Sequence, residues 1–206
     1  MTERSPTRAA LLDLRDERHA MREGWVFLDE KCLLLAGEML RQLARHAAQA
    51  RALAAAHEAA MDALAAALGR HGLEELQLQP EGRWPEDARL ERRTDNLMGV
   101  RLQQASWPRG APTAEPALWP SPELAACRRA FAALLDAAVP LAATAGNLER
   151  LSQEYRRSVR RARALQDVLL PESERELRGI ETALEELEQQ DLVSMRHRPA
   201  AMAGAR

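Results

Sequence analysis

From Thr7 to about Leu68 no proline interrupts the chain, and apolar or small residues recur there in steps of three and four. Stepping from Leu11 meets Leu14, Arg18, Met21, Trp25, Leu28, Cys32, Leu35, Met39, Gln42, His46, Gln49, Leu53, Ala56 and Ala60. This is the period of a coiled-coil seam with polar interruptions. At 1.5 Å per residue such a helix is about 90 Å long, far more than one globular core covers, so it needs a partner helix of similar length.

That partner follows Pro122. From Cys127 the same stepping meets Ala130, Leu134, Ala137, Leu141, Thr144, Leu148, Leu151, Tyr155, Ser158, Ala162, Leu165 and Leu169. Beyond Pro171 the seam resumes one residue out of phase at Leu177, Ile180, Leu184 and Leu187, the pattern of a four-residue stutter. Pro140 and Pro171 each remove a backbone bond and are predicted to kink the helix. The two helices are predicted to fold back on each other. Facing residues then have numbers adding to about 202, which sets Cys32 opposite Leu170 and leaves Cys127 about 65 Å from Cys32. A disulfide needs Cα atoms within about 7 Å, so both thiols are predicted to stay unlinked.

Seven of the eleven prolines and three of the four tryptophans fall between Gly72 and Pro122. The predicted organisation is a long N-terminal helix over 1–71, a Pro/Trp-rich insert over 72–121, a long C-terminal helix over 122–195 and a fraying basic tail over 196–206. Ser5 is placed as the first cap, with Pro6 in the first turn, and Gly69 and Gly72 as the stop. In the insert, Leu76 and Leu78 alternate with Gln77 and Gln79, and Met98, Val100 and Leu102 alternate with Gly99 and Arg101, two weak strand signals. The predicted fold class is mainly α: a long antiparallel two-helix coiled coil with a small middle insert containing a short β-hairpin.

The chemistry excluded is as informative. Among 206 residues, 29 basic side chains oppose 31 acidic ones, giving a formal charge of −2 and no global attraction to nucleic acid or an acidic membrane surface. The single lysine, Lys31, stands in Glu30-Lys31-Cys32, so no phosphate-binding G-x-x-x-x-G-K-[ST] loop exists. The five histidines form no HExxH and no i, i+4 pair, and the two cysteines no CxxC. No metal, cofactor or catalytic residue is therefore predicted. Carboxylates alternate with arginines, as in Asp13-Leu14-Arg15-Asp16-Glu17-Arg18, the composition of a solvated helix face. No signal-peptide core and no uncharged apolar run of about 18 residues occurs, which predicts a cytoplasmic chain held at a membrane only through partners. A concentrated basic patch, Arg156, Arg157, Arg160, Arg161 and Arg163, with Arg128, Arg129 and Arg150 upstream, reads either as a surface for acidic partner loops or as an exposed face. Only Tyr155 is available there to stack on a base, so nucleic acid is not the predicted partner.

Several segments carry a resemblance. Ser5-Pro6-Thr7-Arg8, then Leu11-Leu12, then Gly24, Leu28 and Lys31 resemble the start of the D-subunit family of V/A-type rotary ATPases, with its N-P-T-R or S-P-T-R box and L-L-K-x-K-R-D run. Asn96-Leu97-Met98-Gly99-Val100 resembles that family's N-x-M-G-V strand. Ala164-Leu165-Gln166-Asp167-Val168-Leu169-Leu170-Pro171 resembles its A-L-E-x-V-x-I-P segment, and Leu184-Glu185-Glu186-Leu187-Glu188 the acidic stretch that follows. Order, spacing and length agree over essentially the whole chain. There are departures: Glu23 stands for a basic residue before Gly24, Asp29 for the Lys of L-L-K, Cys32-Leu33 for Arg-Asp, and Glu172 for an Arg, so the tip is less basic than the family pattern.

The resemblance implies a non-catalytic central rotor shaft. Its tip, holding both termini, would lie inside a ring of catalytic A and non-catalytic B subunits, and its base and insert would dock the F subunit and the socket subunit of the membrane rotor ring. By the same resemblance Arg8, Gly24, Lys31 and Pro171 belong to the bearing end, and Met98, Gly99 and Val100 to the head near the F subunit. A mixed-charge surface free of large apolar patches suits such a shaft. The competing class is a non-rotary cytoplasmic coiled-coil adaptor or export-apparatus stalk, which needs no fifty-residue head.

Overall fold

The computed structural model describes residues 5–80, 82–83, 90–107, 113–114 and 117–197. Residues 198–206 of the expected tail, with Trp84 and Pro85 of the insert, lie outside the described residues. The elements run α1 (Arg8–Gln77), β1 (Gly82–Arg83), β2 (Glu91–Leu97), β3 (Val100–Ser106), β4 (Thr113–Ala114), α2 (Pro122–Ala164), a π-helical turn (Leu165–Leu169) and α3 (Leu170–His197). The class is the one predicted: mainly α, with long helices and a small antiparallel hairpin between them. The chain divides into two compact units, 1–33 with 156–206, and 34–155.

In the first unit α1 starts later than expected. Thr7, not Ser5, caps it: its Oγ1 accepts the Ala10 N–H at 3.1 Å and its carbonyl accepts the Leu11 N–H at 3.0 Å. The unit is centred on Leu14, which is 2% exposed and packs with buried Leu177 and Ile180, flanked by Leu11 and Leu184. Beside this core three ion pairs cross between the helices: Arg8 to Glu188 at 2.7 Å, Arg15 to Glu181 at 2.7 Å and Arg22 to Glu174 at 3.7 Å. Arginines advance by seven along α1 while glutamates retreat by seven along α3, as antiparallel heptad pairing requires. The numbers of each pair add to 196, so the predicted stagger near 202 is too large. A seam fixes which face is buried and leaves the sliding position free. The expected stagger would set the three guanidiniums against Ser194, Leu187 and Ile180, whereas the observed one gives each a carboxylate.

The stutter takes the form of the π turn, in which the Leu170 N–H reaches back to the Leu165 carbonyl. The buried seam passes from Ala162 and half-buried Leu165 to Ser173, Leu177 and Ile180, and Leu169 is left exposed. Pro171 has no N–H to return to the preceding turn, and the wider turn is where that gap falls. Ser173 then donates to the Leu170 carbonyl at 2.9 Å.

In the second unit Leu35 and Leu151, both 0% exposed, join Val100 and Leu102 in a core flanked by Met39, Leu97 and Tyr155, so the hairpin packs directly on the helices. Polar seam positions are satisfied in pairs: Gln42 and Arg41 donate to Glu38, each at 2.8 Å, and the Thr144 hydroxyl donates to Gln49 at 2.6 Å. At the start of α2 Ser121 is the cap, accepting the Leu124 N–H at 3.1 Å, and its hydroxyl lies 2.7 Å from Nε2 of His71. Gly72 has φ 71° and ψ 169°, so the regular helix breaks where the sequence placed its stop. A further helical turn through Gln77 follows, and the strand expected at Leu76 to Gln79 does not form.

Candidate functional site

Nothing among the described residues gathers three metal-binding side chains. Of the segments singled out in the sequence, the most sharply built is the hairpin. β2 and β3 pair without interruption from Glu91–Ser106 to Leu97–Val100. They turn through Met98 (φ 49°) and Gly99 (φ 89°), two positive-φ residues in the pattern of a type I′ turn. Glycine suits its position, while methionine is held there against its preference. Asn96 braces the turn by accepting the Gly99 N–H at 3.0 Å. Val100 and Leu102 face inward. Between them and beyond, the outward edge of β3 is fastened to α2: Asn147 accepts the Gln103 N–H at 2.7 Å and donates to the Gln103 carbonyl at 2.8 Å, and Arg150 donates to the Arg101 carbonyl at 2.9 Å. The carboxamide of Asn147 thus stands where a third strand's peptide group would be.

The other residues singled out in the sequence, Arg8, Gly24, Lys31 and Pro171, lie in the first unit. Arg8 occupies the first turn of α1 and holds Glu188. Gly24 is half-buried, and a methyl group added there would meet Leu165 Cδ1 at 3.9 Å, an ordinary contact. Lys31 is half-buried farther along α1, and Pro171 opens α3. They are distributed along their helices and converge on no common cavity.

Two features escaped sequence reasoning. Val26, Phe27 (56% exposed) and Leu33 (69%) stand in solvent on α1 of the first unit, as do Val168 and Leu169 on the return. The available signal was a second row one residue beyond the seam, since Leu12, Val26 and Leu33 are separated by multiples of seven. The basic patch also divides. Arg156, Arg157, Arg160, Arg161 and Arg163 are exposed, whereas Arg128 and Arg150 are engaged internally with the Pro80 and Arg101 carbonyls.

Both cysteines are free thiols. Burial raises the Cys127 pKa, and burial with the neighbouring Asp29 charge raises that of Cys32 against the opposing pull of Lys31. The helical stretch Pro122–Met195 contains an 18-residue window of mean hydropathy 1.4, long and apolar enough by composition to cross a membrane. Within the same helical stretch Thr144 and Asn147 are committed to hydrogen bonds inside the protein.

The family described as the D subunit of ATP synthase matches residues 10–198. The chain is similar to the D subunit of the V-type ATP synthase of Thermus thermophilus, at 31% identity over 194 residues, covering 93% of this chain and 85% of that protein. The same subunit from a second strain of that organism gives the same values.

Proposed function

Since the chain belongs to the D-subunit family of ATP synthases, we propose that it is the central shaft of a V/A-type rotary ATPase, transmitting torque between a ring of catalytic A and non-catalytic B subunits and the ion-translocating ring in the membrane. The observation that supports this best is the extent of the family match, which takes in α1, the hairpin and both segments of the return helix. The chain performs no chemical step. Its part is mechanical: in each unit α1 and the return helix bury an apolar seam, and in the first unit ion pairs bridge them, an arrangement that resists twisting of one helix around the other. A single asymmetric shaft presents a different face to each of three catalytic sites, which couples their conformations to its angle.

In this reading residues 1–71 and 122–195 are the shaft and 72–121 the head. Arg8, Gly24, Lys31 and Pro171 lie toward the catalytic ring, where exposed Val26, Phe27 and Leu33 offer apolar contact. Met98, Gly99 and Val100 lie toward the F subunit and the socket subunit. The chain is cytoplasmic and peripheral, reaching the membrane only through the complex.

Native mass spectrometry of the complex isolated from source membranes, through a tag placed between Arg109 and Pro120, tests the proposal. One copy of this chain with three copies each of two large ATPase-type subunits is the expected composition. A homodimer, or an assembly lacking ATPase-type subunits, would overturn it in favour of a coiled-coil adaptor.

A further inference from the structure

The two edges of the β2–β3 hairpin are treated differently. The turn is a two-residue connection between Leu97 and Val100, so hydrogen-bonded pairs alternate from there: Leu97–Val100, Asp95–Leu102, Arg93–Gln104 and Glu91–Ser106. The residues between them aim their N–H and C=O groups outward. On β3 these are Arg101, Gln103 and Ala105, of which α2 occupies both groups of Gln103 and the carbonyl of Arg101. On β2 they are Arg92, Thr94 and Asn96, whose outward backbone groups have no hydrogen-bond partner among the described residues. All of Glu91 to Asn96 is exposed. Seven continuous pairs without a bulge, and with no proline in the strand, leave β2 free of the backbone devices that usually blunt an edge.

The charges of the hairpin are sorted by face. Val100 and Leu102 face the helices, and side chains alternate along a strand, so Arg92 and Arg101 share the opposite, solvent-facing surface with Thr94, Asn96 and Gln103. That surface has two guanidiniums and no carboxylate. The acid of the strand's middle, Asp95, is on the other face and accepts a hydrogen bond from Gln104 at 3.3 Å. A strand laid along β2 would meet these cations.

We propose that the outer edge of β2 is a docking edge for an extended acidic segment of a partner subunit, which adds as a third strand on the backbone of Arg92, Thr94 and Asn96 while its carboxylates face Arg92 and Arg101. Main-chain bonds supply attachment and the charges select the partner. The hairpin already packs on α1 and α2, so the added strand extends a sheet that is in place before the assembly forms. The inference rests on the reading of this chain as one subunit of a larger complex.

Residue-resolved hydrogen exchange on the free chain and on the complex isolated from source cells tests it. The amides of Arg92, Thr94 and Asn96 are expected to exchange at least tenfold more slowly in the complex, while inward-bonded Arg93 and Asp95 change little. Thr94→Pro removes one outward N–H without touching the internal ladder, and Arg92→Glu with Arg101→Glu reverses the selecting charge. Each is expected to weaken association of the head with its partner at least tenfold, and Arg93→Glu, on the other face, to leave it unchanged. Equal exchange in free chain and complex, or full affinity in Thr94→Pro and in the charge-reversed chain, would overturn the docking edge even with the shaft composition intact. Protection that grows with concentration of the free chain alone would overturn the acidic partner in favour of a second copy. Protection of the edge in a complex lacking ATPase-type subunits would leave this inference standing and remove the shaft.

Discussion

The side-chain amide of Asn147 satisfies both backbone groups of Gln103, receiving its N–H at 2.7 Å and donating to its carbonyl at 2.8 Å. One helical residue thereby closes a sheet edge that would otherwise be open, and Arg150 steadies it by donating to the Asn147 Oδ1 at 2.7 Å. Asn147→Ala would leave a buried donor and acceptor unpaired, at a cost of about 2 kcal/mol. Urea unfolding should show that loss, and the Gln103 amide should exchange faster. A change within error would mean that water replaces the amide without penalty.

The ion pairs of the first unit predict a charge-swap pattern. Arg15→Glu sets like charges against Glu181, Glu181→Arg sets them against Arg15, and the double exchange restores attraction. Both side chains are partly exposed, so the coupling energy from a double-mutant cycle should be below about 1 kcal/mol and should fall with added salt. A zero coupling at low salt would show that the stagger is set by the apolar seam alone.

Met98 sits at φ 49° in the hairpin turn, a conformation costly for an unbranched apolar side chain and natural for asparagine. Met98→Asn is expected to raise the stability of the free chain by about 0.5 to 1 kcal/mol, read as a higher thermal midpoint. If Met98 is a partner contact, the same variant loses affinity for the assembly, and the two readouts move in opposite directions.

Glu38 links stability to pH. Burial pushes its carboxyl up, but the Gln42 amide, the Arg41 guanidinium and the Arg45 charge outweigh it and hold the pKa below the ordinary carboxylate value. A group depressed in the folded state stabilises above its unfolded pKa, and that contribution fades as pH falls through the folded one. Glu38→Gln should therefore lose about 2 kcal/mol at neutral pH, with the difference from the parent chain shrinking in acid. A pH-independent difference would show that packing, not charge, matters at this position.

Gly24 separates structure from function. The space above it accepts a methyl group, and alanine favours the helix by roughly 0.5 to 1 kcal/mol. Gly24→Ala should raise the unfolding midpoint, measured by circular dichroism. Reduced coupling of ATPase to ion transport in the same variant would place the glycine at the bearing.

The α1 seam was legible, since every position from Leu11 to Ala60 read from the three-and-four stepping is buried or half-buried, whereas on the return helix Leu169 and Leu187 stand exposed. Packing alone dictates that pattern. Stagger was not, because sliding one helix along another by a turn preserves the pattern, and only the match of Arg8, Arg15 and Arg22 to glutamates decides it. β2 was missed because Glu91-Arg92-Arg93-Thr94-Asp95 is a solvent-facing strand with no apolar alternation to betray it. The turn was masked by methionine at a site where asparagine or glycine would have announced it. Leu76 and Gln77 looked like strand because a helix that resumes for one turn past Gly72 is too short to show a period.

The π turn has a consequence at the level of the gene. Between Ala162 and Ser173 most side chains, Gln166, Asp167 and Val168 among them, are exposed. Loss of one codon there, with the wide turn closing to an ordinary one, would keep Leu177 and Ile180 against Leu14, because the turn is what absorbs the extra residue. Closing the turn with every residue retained would instead rotate everything downstream by about 100°. The turn is thus a place where a chain of this kind can gain or lose one residue without shifting the seam beyond it.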